Sequence, residues 1–177
     1  MERLLKTAAA LALLGLLAAT QMGGCTGYYC DEDDDDCPPV HPLLEIAEEG
    51  DASCVAVPAG YKAEAFVIPS LPYWQNFWDD HTGCLGPPAP ALPDVDFTHP
   101  TLVAVVCSER PTTGYSVRVD GVEAWCGTLE VSAVESQPGA GCATAPTATR
   151  PYQFVVVEGV YEFFVFRAYD QVVVDCP

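Results

Sequence analysis

Between residues 102 and 175 the chain is written in short runs of Val, Tyr and Phe, each closed by Gly, Pro, Ser or Asp. The runs cover 102–107, 115–119, 128–135, 152–158, 160–166 and 171–175. Branched and aromatic side chains suit a pleated surface, and the residues between them are those of turns, so each run is expected to be a strand. In GYSVRVDG (114–121) the alternation is clean, with Tyr115, Val117 and Val119 on one face and Ser116 and Arg118 on the other. Glu158 and Gly159 read as a hairpin turn between two of the later strands. Many short strands joined this way imply a mainly β fold, an antiparallel sandwich or open barrel.

Upstream the pattern changes. AEAFVIP (63–69) is one more expected strand. Ser70 then stands where a helix cap would, ahead of LPYWQNFWDDH, in which Trp74, Phe77 and Trp78 fall at i, i+3 and i+4 and share one face. That aromatic face is expected to be core. The Pro- and Gly-rich stretch TGCLGPPAPALPDVD (82–96) breaks regular structure before the next strand. One short helix beside a β domain is the expected architecture.

The first twenty residues, MERLLKTAAALALLGLLAAT, place Arg3 and Lys6 before an unbroken Ala/Leu run, the layout of a secretory signal. QMGGC follows and resembles the lipobox of bacterial lipoproteins, with Met22 where that box usually has Leu. The resemblance implies cleavage before Cys25, acylation of Cys25, and Thr26 behind it as in lipoproteins sent on to an outer membrane. The expected organisation is a signal segment 1–24, a tether 25–50 and a β domain 51–177, held at a bacterial cell envelope with a periplasmic or outer face to the medium.

The chain has nine cysteines, an odd number for an oxidising compartment. Setting Cys25 aside for lipid leaves eight (9 − 1): Cys30, Cys37, Cys54, Cys84, Cys107, Cys126, Cys142 and Cys176. They show no Cys-x-x-Cys pair and no accompanying histidine, so four disulfides are expected rather than a zinc site. Closeness in sequence points to Cys30 with Cys37 and Cys126 with Cys142, although eight cysteines allow many other connectivities.

The acidic run DEDDDD (31–36) is expected to be solvated spacer, since six adjacent carboxylates repel one another. Calcium is the competing reading, but the spacing is not that of an EF-hand loop. A net charge of −18 excludes nucleic acid as a natural partner. His41, His81 and His99 lie in no nucleophile, metal or acid–base motif, and Ser108 lacks the Gly-x-Ser-x-Gly turn that exposes a nucleophile. No cofactor, metal site or enzyme activity is expected.

ALPDVDFTHPTLVAVVCSERPTTGYSVRVDGVE, followed later by APTATRPYQFVVVE, resembles the C-terminal domain of the PrcB protease-complex-subunit family over about residues 95–158. Thr113 stands where that family commonly has glycine. The resemblance implies an exported, non-enzymatic domain that associates with a protease. A fainter likeness joins Arg110, Pro111, Thr112, Thr113, Gly114 and Tyr115, then Gly139 and Gly141, then Arg150, Pro151 and Tyr152. These are similar, in order, to the three binding loops that chagasin-type cysteine protease inhibitors present from one end of a sandwich. Arg110, Cys142 and Tyr152 replace the usual residues there. Independently of either likeness, Pro111 stiffens its loop, Gly114 permits positive φ, and Arg and Tyr are frequent at binding hot spots. The sequence therefore reads as a lipid-anchored β domain that binds a protease through these eleven residues, as accessory subunit or inhibitor. The alternative is a structural envelope lipoprotein with no protease partner.

Overall fold

The computed structural model describes residues 39–161 and 163–176. The signal segment, Cys25, Cys30, Cys37 and the acidic run lie outside them. Seven strands and one helix follow in the order β1 (Leu44–Gly50), β2 (Ala63–Ile68), α1 (Leu71–Thr82), β3 (Pro100–Cys107), β4 (Ser116–Trp125), β5 (Thr128–Pro138), β6 (Tyr152–Glu158) and β7 (Phe163–Val174). They form a four-stranded sheet, β1-β6-β3-β2, and a three-stranded sheet, β4-β5-β7. The fold is mainly β, in two sheets that do not close into a barrel.

β3 explains the middle of the molecule. Its run LVAVVC (102–107) is buried at every position, because the strand is covered on both faces. Val103, Val105 and Cys107 meet Val117, Val119 and Val122 of β4 and Leu129, Val131 and Ala133 of β5 between the sheets. Leu102, Ala104 and Val106 face the other way, onto Trp74, Trp78 and Phe154 beneath α1. Trp74 is fully buried and stands edge-on to Phe154, with ring centroids 5.4 Å apart. The aromatic face of the helix is core, as its spacing implied. The Pro-rich stretch that follows is strapped across it by two indole N–H groups, Trp74 to the Pro93 carbonyl at 3.0 Å and Trp78 to the Pro90 carbonyl at 3.1 Å.

Four expectations are corrected. The domain starts before residue 51: Leu44–Gly50 pairs antiparallel with β6, and Val40 bridges Ala124. Mixed polar residues hid this strand because β1 is a sheet edge whose side chains are largely exposed. Glu158 and Gly159 are not a hairpin turn, since the chain crosses there to the other sheet. The two runs expected at 160–166 and 171–175 are one strand, β7, and it lies parallel to β5 in an otherwise antiparallel fold. Arg167 is skipped in the register with β5, which carries both Phe166 and Tyr169 against the core; this extra residue broke the alternation in the sequence. Finally, Cys142 pairs with Cys176 and Cys54 with Cys84. Cys126 is disulfide-bonded too, but not to Cys142. Cys107 is a free thiol, buried in the centre of the sandwich. The odd cysteine among the described residues is thus Cys107, and parity no longer singles out Cys25.

Candidate functional site

The end of β3, the start of β4, the end of β5 and the start of β6 all meet at one end of the sandwich, so the loops 108–115 and 139–151 lie side by side. Backbone bonds stitch them together. Arg110 and Thr149 exchange amide-to-carbonyl bonds at 2.7 and 2.9 Å, and the Thr113 amide donates to the Ala145 carbonyl at 3.0 Å. The Ala145 amide returns a bond to Thr113 Oγ1 at 2.9 Å, and Thr149 Oγ1 donates to the Thr112 carbonyl at 2.9 Å. Gly114 has φ +95°, and a Cβ there would lie 3.3 Å from both Pro138 and Thr144. Glycine is required here for its φ and for the close approach of the second loop.

The structure thus brings together all three segments named from the sequence, yet turns most of their larger side chains inward. Arg110, with a side chain 13% exposed, donates to the wholly buried carboxylate of Glu135. It also donates to Ser108 Oγ at 2.7 Å, the Lys62 carbonyl at 3.1 Å and the Tyr169 hydroxyl at 3.2 Å. Burial alone would raise the Glu135 carboxyl, but bonds from Arg110, Gln171 and Tyr169 and the Arg110 charge hold it below its ordinary value. Arg150 donates to the Val55 carbonyl at 3.2 Å and lies 3.6 Å from Glu109, pinning its segment to the chain before β2. Pro151 accepts the Cys107 amide at 2.8 Å. Tyr152 is 9% exposed, against His81 and Phe154 with centroids 4.3 and 4.8 Å away. Burial, then the charges of Glu48 and Asp51, pushes its phenol up to about 12. Gly139 is buried against β7, where a Cβ would come within 3.2 Å of the Val174 carbonyl.

Pro111, Gly114 and Gly141 are exposed, and Tyr115 is half-buried beside a cavity of about 500 Å³ that also touches Glu49, Asp51 and Tyr152. Sequence reading missed the main exposed element, residues 143–148 (ATAPTA), every one of them exposed. From Pro138 to Thr149, and again from Pro111 to Val117, there is no charged side chain in a protein with 25 acidic residues. That gap in charge was the available signal. The Cys142–Cys176 disulfide ties this loop to the end of β7. Sequence reading also missed Glu135, although it shares the parity of Leu129, Val131 and Ala133 and was therefore inward-facing by alternation.

Other polar groups are sequestered. His81 Nδ1 lies 2.9 Å from Ser53 Oγ, but both residues are buried. Burial lowers the His81 imidazole to about 4. The Cys107 thiol, 3.3 Å from the Tyr169 hydroxyl, is pushed up to about 11, again by burial.

Residues 101–158 match the family model described as PrcB C-terminal. The PrcB C-terminal match runs from β3 through β6 and so includes both loops of this end. Neither a curated protein nor a solved structure matches the chain.

Proposed function

We propose that this is an exported, lipid-anchored, non-enzymatic lipoprotein of a bacterial envelope that binds a protease through the loop end of its sandwich, as accessory subunit or inhibitor. The observation that carries the reading is the PrcB C-terminal match over the very elements that build that end. The chemistry of the end supports it. Charged residues are depleted from interface cores, where covering them means stripping their water, and segments 111–117 and 138–149 carry none, the exposed Glu109 and Asp175 standing at their margin. Its loops are cross-braced by backbone bonds and a disulfide, so docking costs little conformational entropy. Contact falls to Pro111, Thr112, Thr113, Gly114 and the 143–148 segment, whereas Arg110, Arg150, Pro151 and Tyr152 hold the platform.

Substituting Thr113 or Gly114 would damage the loop's own bracing, so the test uses residues that point out. The protein, with disulfides formed, is used to capture partners from the envelope and secreted fractions of its source, beside an Ala143→Arg/Thr147→Arg variant. A protease retained by the native protein and lost by a variant of unchanged melting temperature is the expected result. Recovery of a protease equally by both would move the site elsewhere. Recovery of none by either would favour a structural envelope lipoprotein.

A further inference from the structure

β2 ends the four-stranded sheet and β7 ends the three-stranded one, and these two open edges flank a cavity of about 790 Å³ away from the loop end's exposed tip. The backbone pattern shows what each edge offers. Ser108 donates its amide to the Lys62 carbonyl, whereas Cys107, which lies opposite Ala63, donates to Pro151 on the β6 side. The β2–β3 ladder therefore uses Lys62, Glu64 and Phe66, and the amide and carbonyl groups of Ala63 and Ala65 point to the open edge. Across the cavity the Phe163 amide turns toward Gly127, at the start of β5. By the same alternation Phe164 and Phe166 direct their backbone groups away from β5.

The walls fit an extended chain. Gly60, Ala63, Ala65 and Ala168 leave room for a visitor's side chains, with Phe166 and Tyr169 beside them as apolar surface. The charges select among visitors. Arg167 is engaged by Glu130 at 2.8 Å and Glu64 also lines the cavity, while the Lys62 ammonium donates to the Gln171 amide oxygen and has no carboxylate partner among the described residues. An unneutralised cation on the rim, in a protein of net charge −18, favours an acidic side chain at that point and disfavours a second copy of the chain as occupant. We propose that an extended segment of a protein partner adds to this groove as a strand, with apolar side chains at alternate positions and an acidic residue against Lys62.

The test is selection of random short peptides displayed against the disulfide-bonded protein, followed by amide exchange with the tightest binder. Enriched peptides are expected to alternate apolar residues and to carry an acidic one, and their binding should slow exchange at Ala63 and Ala65. Ala65→Pro removes an outward N–H while leaving the β3 ladder, a change that edge strands tolerate, and should weaken binding by about tenfold or more. Lys62→Glu should shift the selected charge from acidic to basic. Failure to enrich any sequence, or equal binding by Ala65→Pro, overturns the proposal. So does a concentration-dependent dimer that Ala65→Pro abolishes. Should Ala65→Pro not fold, N-methylation of alternate amides in the peptide replaces it, and unchanged affinity then refutes strand addition.

Discussion

Arg110→Ala separates a brace from a contact residue. The guanidinium is 13% exposed and the Glu135 carboxylate is fully buried. Removing the cation leaves that carboxylate with only Gln137, Gln171 and Tyr169 around it. Breaking a buried pair from one side costs about 3–5 kcal/mol, a fifth or more of the stability of an ordinary domain of about 5–15 kcal/mol. The sign of the pH dependence should change as well. In the native protein the folded-state pKa of Glu135 is lowered, so its contribution is present above the unfolded value and is lost as pH falls through the folded one. In Arg110→Ala the same carboxyl is raised by burial, and the deficit should shrink as acid neutralises it. Denaturant unfolding from pH 8 down to about pH 2 reads both effects, since the native loss falls below the ordinary carboxyl value of 4.5. Arg110→Ala/Glu135→Gln should recover a large part of the loss, because the orphaned charge is gone. A loss below about 1 kcal/mol for the single variant, the value of an exposed pair, or no recovery in the double variant, would refute the assignment of Arg110 as a brace.

Further outcomes follow from the same structure. His81 is held near 4 by burial against an ordinary 6.5, so the unfolded chain takes up its proton first and stability should fall between those pH values, by up to roughly 3 kcal/mol; His81→Phe should flatten that part of the melting-temperature profile. Native protein should not react with thiol reagents at Cys107, while denaturation without reductant should expose it, and peptide mapping should find Cys54, Cys84, Cys142 and Cys176 unlabelled. Replacing Cys142 and Cys176 by Ser releases a cross-link spanning 34 residues, which should cost up to about 4 kcal/mol in chemical unfolding and, on the proposed function, should also reduce capture of a protease.

The strands of the core were legible because burial on one face writes period two into β4 and burial on both faces writes an unbroken run into β3. The helix was legible from Trp74, Phe77 and Trp78 alone. Edges were harder to read. β1 has mostly exposed side chains and so carries no pattern, and β7 loses its period at Arg167, where the register slips. Pairing of cysteines depends on which chain ends meet, which is why Cys126 and Cys142, near in sequence, are not joined. That the three loop segments meet at one end of the sandwich was legible, but which of their side chains are exposed was not. Order along the chain located the three segments, but residue type pointed to Arg150 and Tyr152 as partner-facing when both are consumed by packing and backbone bonds.

The division between inward and outward residues follows from how small loops stay rigid on an acidic protein. A loop of Pro, Thr, Ala and Gly has too little apolar surface to fold against itself, so its shape must come from elsewhere. Here it comes from the paired Thr113 and Ala145 backbones, from Gly114 set against Pro138 and Thr144, and from charges buried below at Arg110 and Glu135. Placing these charges beneath the loop leaves segments 111–117 and 138–149 neutral, so that covering them would strip water from no ion of their own. The same Arg110 donates to the Lys62 carbonyl, where β2 begins its open edge. Damage to the brace should therefore disturb the groove as well as the tip, whereas Thr147→Arg should disturb the tip alone. Amide exchange at Ala63 and Ala65 distinguishes the two: faster in Arg110→Ala, unchanged in Thr147→Arg.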